Sequence, residues 1–193
     1  MSLIDWPEPT ARSEAIFADD LEEVGFVMNA SRLWAYQPAL HEGMFELLRQ
    51  LVHEHGLSYR ERGILVTACA AALGDSYCSV AWGTKLARVA NEDLAAGVLR
   101  GDDFGLSPAE HALAEWARKV ARDPNGTSAP DVRALQDSGW TDRQIFAITA
   151  FVALRIAFST INDALGARPD AEYRSVAPPA VLKEITYGRP LAD

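Results

Sequence analysis

The stretch Leu57 to Gly83, LSYRERGILVTACAAALGDSYCSVAWG, holds the reading on which the fold turns. Ser58 stands three residues before Glu61, the spacing at which the cap side chain and the third helical residue satisfy each other's backbone donors and start a helix. After Arg62 the segment runs apolar and alanine-rich to Leu73 nearly all round, as suits a helix at the centre of a bundle rather than on its surface. Gly74 ends that helix, and Asp75 is placed to cap the next, because its carboxylate can accept from the amides of the following first turn. Two buried helices joined by a two-residue corner are thus written into 27 residues.

Working outward, the same signals recur. Ser107 with Glu110 and Thr141 with Gln144 form two more capping boxes, and Pro108 suits the first helical position. The pattern predicts helices over Ala11–Glu23, Ser31–Tyr36, Pro38–His53, Tyr59–Leu73, Ser76–Ala90, Glu92–Leu99, Pro108–Arg122, Ala129–Asp137 and Asp142–Leu165. Asp123–Ser128 reads as a plain loop, and helical periodicity is lost over Arg168–Pro179 before a short tail. Alternating strand patterns with Asn-Gly or Asp-Gly turns are nearly absent, so the expectation is an all-α single domain over 1–193, with a core of about 11–166 and a tail of about 168–193.

The chain has 193 residues, 49% of them hydrophobic, enough for one continuous core. Its 18 basic and 27 acidic residues leave a net charge of -9, which repels nucleic acid and an anionic membrane surface alike. Asp5, Glu8 and Glu14 interrupt any apolar leader. The apolar runs Ile64–Leu73 and Ile145–Phe158 fall short of a bilayer's thickness, so the expected location is cytoplasmic. Two cysteines, Cys69 and Cys78, offer no disulfide scaffold and leave redox chemistry, catalysis or packing as their roles.

Cys78 sits in the first turn after Asp75, where free amides and the helix dipole favour a thiolate. The Asp75 carboxylate opposes that, and the two effects are expected roughly to cancel. Cys69 and Cys78 lie at similar heights of the helical hairpin. A disulfide needs Cα atoms about 4.4–6.8 Å apart, however, while packed helix axes lie about 8–10 Å apart, which favours Cys69 as a core residue. His53, Glu54 and His55 lack the spacing of a metal site. Arg155, inside an apolar helix, must find a carboxylate or carbonyls if buried; Asp163 and Asp75 are possible partners, and binding of an anionic ligand is the lesser alternative.

The surroundings of Cys78 resemble the carboxymuconolactone decarboxylase and alkyl hydroperoxidase D superfamily, in its peroxidase-related branch. That family carries a glutamate and then C-x-(H/Y)-C-x-x-x-H at a helix start. GFVMN at Gly25–Asn29, the Leu-Ser-Pro-Ala-Glu helix from Leu106, and FSTINDALG at Phe158–Gly166 extend the likeness over about Asp20 to Tyr173. The second motif cysteine falls on Cys78, with Tyr77 an allowed variant before it. The first cysteine falls on Asp75, the histidine on Trp82 and the glutamate on Gly63.

The resemblance implies an alkyl hydroperoxidase D-like helical bundle and a thiol peroxidase lacking its resolving cysteine and its proton relay. Cys78 and Asp75 are the candidate catalytic residues, and Tyr77, Trp82 and Cys69 the candidate pocket. Neither metal nor cofactor is implied. The expected ligand is a small hydroperoxide or another small apolar molecule, with an external thiol as reductant. The alternative is a catalytically impaired relative that binds a small molecule or serves assembly. Relatives form homo-oligomers, dimers, trimers or hexamers, and the tail from Val176 to Pro190, with Val181, Leu182, Ile185 and Tyr187, is the expected contact with a neighbouring subunit.

Overall fold

A computed structural model describes residues 2–102 and 104–193; Met1 and Asp103 lie outside the described residues. Its helices are α1 (Ala11–Glu23), α2 (Asn29–Trp34), α3 (Pro38–His55), α4 (Tyr59–Leu73), α5 (Ser76–Val89), α6 (Glu92–Arg100), α7 (Pro108–Arg122), α8 (Ala129–Asp137), α9 (Asp142–Ala164), α10 (Tyr173–Val176) and α11 (Pro179–Glu184). The described residues contain no strand. The all-α bundle expected from the capping signals is what forms.

α4 is the axis of this bundle. Its residues Gly63 to Ala70 are buried without interruption, and α5, α6, α7 and α9 pack around it. Ile64 and Leu65 are fully enclosed, each stabilising the fold by about 1.5–3 kcal/mol relative to exposure. The helix stops as its residues direct: Gly74 adopts φ 74°, the left-handed region open to glycine, and the Asp75 amide donates back to the Ala70 carbonyl at 3.0 Å. All three anticipated capping boxes form, and two more, Thr10 with Ser13 and Ser128 with Asp131, start α1 and α8.

α2 begins two residues before its expected start, for a reason no local pattern carries. The successive amides of Met28, Asn29 and Ala30 donate to Asp20 Oδ2 (2.9 Å), Asp170 Oδ1 (2.7 Å) and the Tyr77 hydroxyl (3.0 Å), groups from three separate segments. Tyr77 in turn donates to Asp170 at 2.6 Å. This helix start is thus capped by tertiary structure instead of its own side chains.

α9 corrects a second expectation. It runs 23 residues and is long and apolar enough, by length and composition alone, to cross a bilayer. Here it packs against α3, α4 and α7 and buries Arg155, as a core helix does. Asp123–Ser128, expected as a plain loop, contains a short 3₁₀ turn at Pro124–Gly126.

The tail packs in part on its own chain, burying Val181 and leaving Leu182, Ile185 and Tyr187 half-buried. α11 packs on α6 and α5, and Val181 is fully buried against Gly83, where an added Cβ would stand 2.9 Å from Val181 Cγ1. The Tyr187 hydroxyl pairs with Ser79 at 3.0 Å, and Arg189 exchanges bonds with the Ser76 hydroxyl through its amide (2.9 Å) and carbonyl (2.7 Å). Gly83→Val is therefore expected to lower the unfolding free energy by ~1–3 kcal/mol through overpacking, measurable by urea titration.

Candidate functional site

Cys78 is the third residue of α5. Asp75 Oδ1 accepts from its amide at 2.9 Å, so the anticipated cap holds the thiol in the helix's first turn. Across the interior, α9 presents two groups one turn apart to the same sulfur: Arg155 Nη2 at 3.5 Å and Ser159 Oγ at 3.6 Å. Neither pairing is visible in the motif around Cys78, since 77 and 81 residues separate the partners.

The opposing influences on Cys78 do not cancel. Burial is the largest and drives the thiol well above its ordinary range, and the Asp75 charge pushes the same way. Arg155 and Ser159 pull it back only in part. Cys69 is a second free, buried thiol, pushed up to about 12 chiefly by burial. The two cysteines form no disulfide.

A cavity of about 240 Å³ opens beside Cys78. α5 contributes Tyr77, Cys78 and Trp82, α9 contributes Arg155 and Phe158, α3 contributes His41 and Phe45, and α1 and α2 close the remaining wall. Of the five anticipated site residues, Tyr77, Cys78 and Trp82 line this cavity. Asp75 and Cys69 do not; both are buried outside its lining. Asp75 Oδ2 has no hydrogen-bond partner among the described residues.

Trp82, at the motif histidine position, carries cations against its ring: Arg155 at 5.5 Å and Lys85 at 5.0 Å from the centroid. Phe158 stacks on Trp34 at 5.1 Å and holds Arg155 at 4.9 Å. His41 stacks on Phe45 at 4.3 Å, and burial holds its imidazole down to about 4, hence neutral at physiological pH. His41, Phe45, Arg155 and Ser159 are the site residues that motif reading missed or left without a role. Only Arg155 announced itself, as a lone charge in an apolar helix.

Gly63, where the motif glutamate would stand, meets α5 so closely that a Cβ would lie 3.2 Å from Leu86 Cδ1. A side chain there would require Leu86 to give way by a few tenths of an ångström, so helix packing crowds the position the relay would use. Arg155 also departs from expectation, since it forms no ion pair with Asp163 or Asp75. Its polar partner is the Cys78 sulfur, and its Nε has none among the described residues. Among the described residues no three His, Cys, Asp or Glu side chains stand close enough together to hold a metal ion.

Carboxylates around the site make stability depend on pH. Burial pushes Asp20 and Asp170 up to about 6 and Asp163 up to about 7, with the Asp75 charge adding to the last. A carboxyl raised on folding binds more protons folded than unfolded from about pH 4 up to its folded pKa, so its contribution is present at low pH and lost as pH rises through that window. His41 works the other way between about 4 and 6.5. Three carboxyls outweigh one imidazole, and the melting temperature is expected to fall as pH is raised from 5 to 8; a calorimetric scan showing the reverse trend would refute this.

No protein-family profile matches the chain, and no curated protein matches it. Among solved structures the fold recurs. An uncharacterized peroxidase-related protein from Silicibacter superposes with a TM-score of 0.80 at 20% identity, over 90% of this chain and 94% of that one. The alkylhydroperoxidase AhpD core of an uncharacterized peroxidase-related protein from Ralstonia eutropha gives 0.74 at 25% identity, over 89% and 94%. The debrominase Bmp8 gives 0.71 at 16% identity, over 91% and 92%, and a cysteine-to-alanine variant of it has been solved with 2,3,4-tribromopyrrole.

Proposed function

We propose that this chain, which has the fold of the AhpD-like peroxidase-related proteins, is a thiol-dependent peroxidase working with one cysteine. The observation that carries the reading is Arg155, buried with no carboxylate partner among the described residues and 3.5 Å from the Cys78 sulfur, with Ser159 beside it. A guanidinium so placed stabilises a thiolate more than a thiol, and it does so in a buried site where charge interactions are strong.

In the proposed reaction the Cys78 thiolate attacks the distal oxygen of a hydroperoxide in the cavity. The S–O bond forms as the O–O bond breaks, sulfur supplies the electron pair, and the alcohol leaves after taking a proton. The product is a sulfenic acid on Cys78. Asp75 cannot resolve it and Cys69 is buried outside the cavity lining, so an external thiol displaces water to give a mixed disulfide, and a second thiol releases Cys78.

Stopped-flow peroxide consumption with dithiothreitol tests this. Turnover should vanish in Cys78→Ser; equal rates in the two proteins would remove the idea. Because the thiol lies far above its ordinary range, the rate should climb about tenfold per pH unit between 7 and 9 with no plateau. A plateau below pH 8 would mean that Arg155 overrides burial.

The aromatic lining and the structural likeness to a debrominase favour a second reading, in which a small aromatic molecule occupies the cavity and meets the thiol, or is held there without turnover. A thiol indifferent to peroxide but shielded from alkylation by such a molecule would support it.

A further inference from the structure

The cations on the cavity wall differ in one respect. Lys85 is paired with Glu23 at 2.7 Å and Arg49 with Glu46 at 2.8 Å, whereas Arg155 has no carboxylate partner among the described residues. It is only 4% exposed, and of its hydrogen-bonding groups Nη2 reaches the Cys78 sulfur while Nε reaches nothing among the described residues. A buried guanidinium left this way is costly unless an anion joins it, because five donors in a fixed fork are made for a planar acceptor pair.

The wall's own acids do not supply that anion. Asp20 Oδ2 accepts from the Met28 amide, Glu42 is bound by Arg12 at 2.5 Å, Glu23 belongs to Lys85, and Asp19 is exposed. The groups facing the guanidinium are aromatic: the rings of Trp82 and Phe158 flank it at 5.5 and 4.9 Å, and Phe45, edge-on to Phe158 at 5.5 Å, lines the same space with the neutral His41. Flat rings beside one planar cation select a ligand that is flat, apolar in body and anionic at one end.

We infer that the cavity beside Cys78 binds small planar aromatic anions, of the aromatic carboxylate class, with the anionic group on Arg155 and the ring among Trp82, Phe45 and Phe158. The inference gives the ligand class of the site proposed above and rests on that cavity being the ligand site; it does not require that the thiol turn over. An acid group anchored at Arg155 places the rest of the ligand within reach of the Cys78 sulfur, since the same guanidinium touches both.

Binding is best measured by calorimetry in the full-length Cys78→Ser protein, which cannot run the thiol chemistry. Three probes of similar simplicity separate the contributions: benzoate has ring and charge, benzamide the ring alone, acetate the charge alone. Benzoate is expected to bind at least about tenfold more tightly than either, as a charge-assisted contact in a buried site warrants. In Arg155→Gln that preference over benzamide should disappear. Benzamide or acetate binding as well as benzoate, no binding of any probe, or a benzoate preference that survives Arg155→Gln would each overturn the inference. The probe comparison decides even if Arg155→Gln fails to fold. Benzoate binding with no peroxide turnover in the wild type would retire the peroxidase and leave this site standing; turnover without benzoate binding would do the opposite.

Discussion

Arg155→Met is expected to slow oxidation of Cys78 by peroxide about 100-fold or more while leaving the melting temperature unchanged or higher. The two halves come from the same fact. In the wild type the guanidinium lies in the interior with no carboxylate partner among the described residues, so its desolvation is poorly offset, and replacing it with an apolar side chain of similar length removes that cost. The same replacement takes away the one cation beside the sulfur among the described residues. Burial and Asp75 already push the thiol upward, and Arg155 is the first of the two groups that oppose them. Losing a preorganised group that meets developing charge in a dry site typically costs about 10²–10³ in rate. Stopped-flow oxidation monitored beside a thermal melt reads both quantities. A rate within threefold of wild type would mean that Arg155 does not act on the thiol, and a collapse in stability would mean that it has a structural partner beyond those described.

The helix borders were legible because they are local. Ser58 with Glu61, Ser107 with Glu110 and Thr141 with Gln144 lie within a single turn each, and a capping box needs nothing from elsewhere in the chain. The Gly74–Asp75 corner was legible for the same reason. By contrast, the start of α2 depends on Asp20, Tyr77 and Asp170, and its early onset could not be read from residues 25–36 alone.

The site divides along the same line. Asp75 holding the Cys78 amide is a contact across three residues and was foreseen. The pairing of Arg155 and Ser159 with the sulfur depends on how α9 lies across α5, which is a matter of tertiary packing. The thiol's pKa depends on it too, since the helix dipole and one carboxylate are visible locally while the depth of burial is not. The tail shows the limit most plainly: Val181 packs on Gly83 and Tyr187 pairs with Ser79, partners about a hundred residues earlier that no pattern within 176–190 points to.

Asp75 is where the competing roles can be separated, and Asp75→Asn is expected to quicken Cys78 oxidation about tenfold near pH 7.5. An asparagine keeps an oxygen for the Cys78 amide, so the cap survives and stability changes little. It removes the negative charge that helps drive the thiol up. A nearby charge shifts a pKa by about one to three units, and a thiol far above its ordinary range converts even the low end of that into about tenfold in rate. Asp75→Ala should quicken the reaction similarly but lose about 1 kcal/mol, because the Cys78 amide then has no acceptor. The pair therefore distinguishes charge from capping. If Asp75→Asn slows the reaction instead, the unpartnered Oδ2 is receiving the thiol proton, and Asp75 belongs to the chemistry after all. A rate rise in both variants, with stability lost in only one, would assign Asp75 to holding the helix and Arg155 to activating the sulfur.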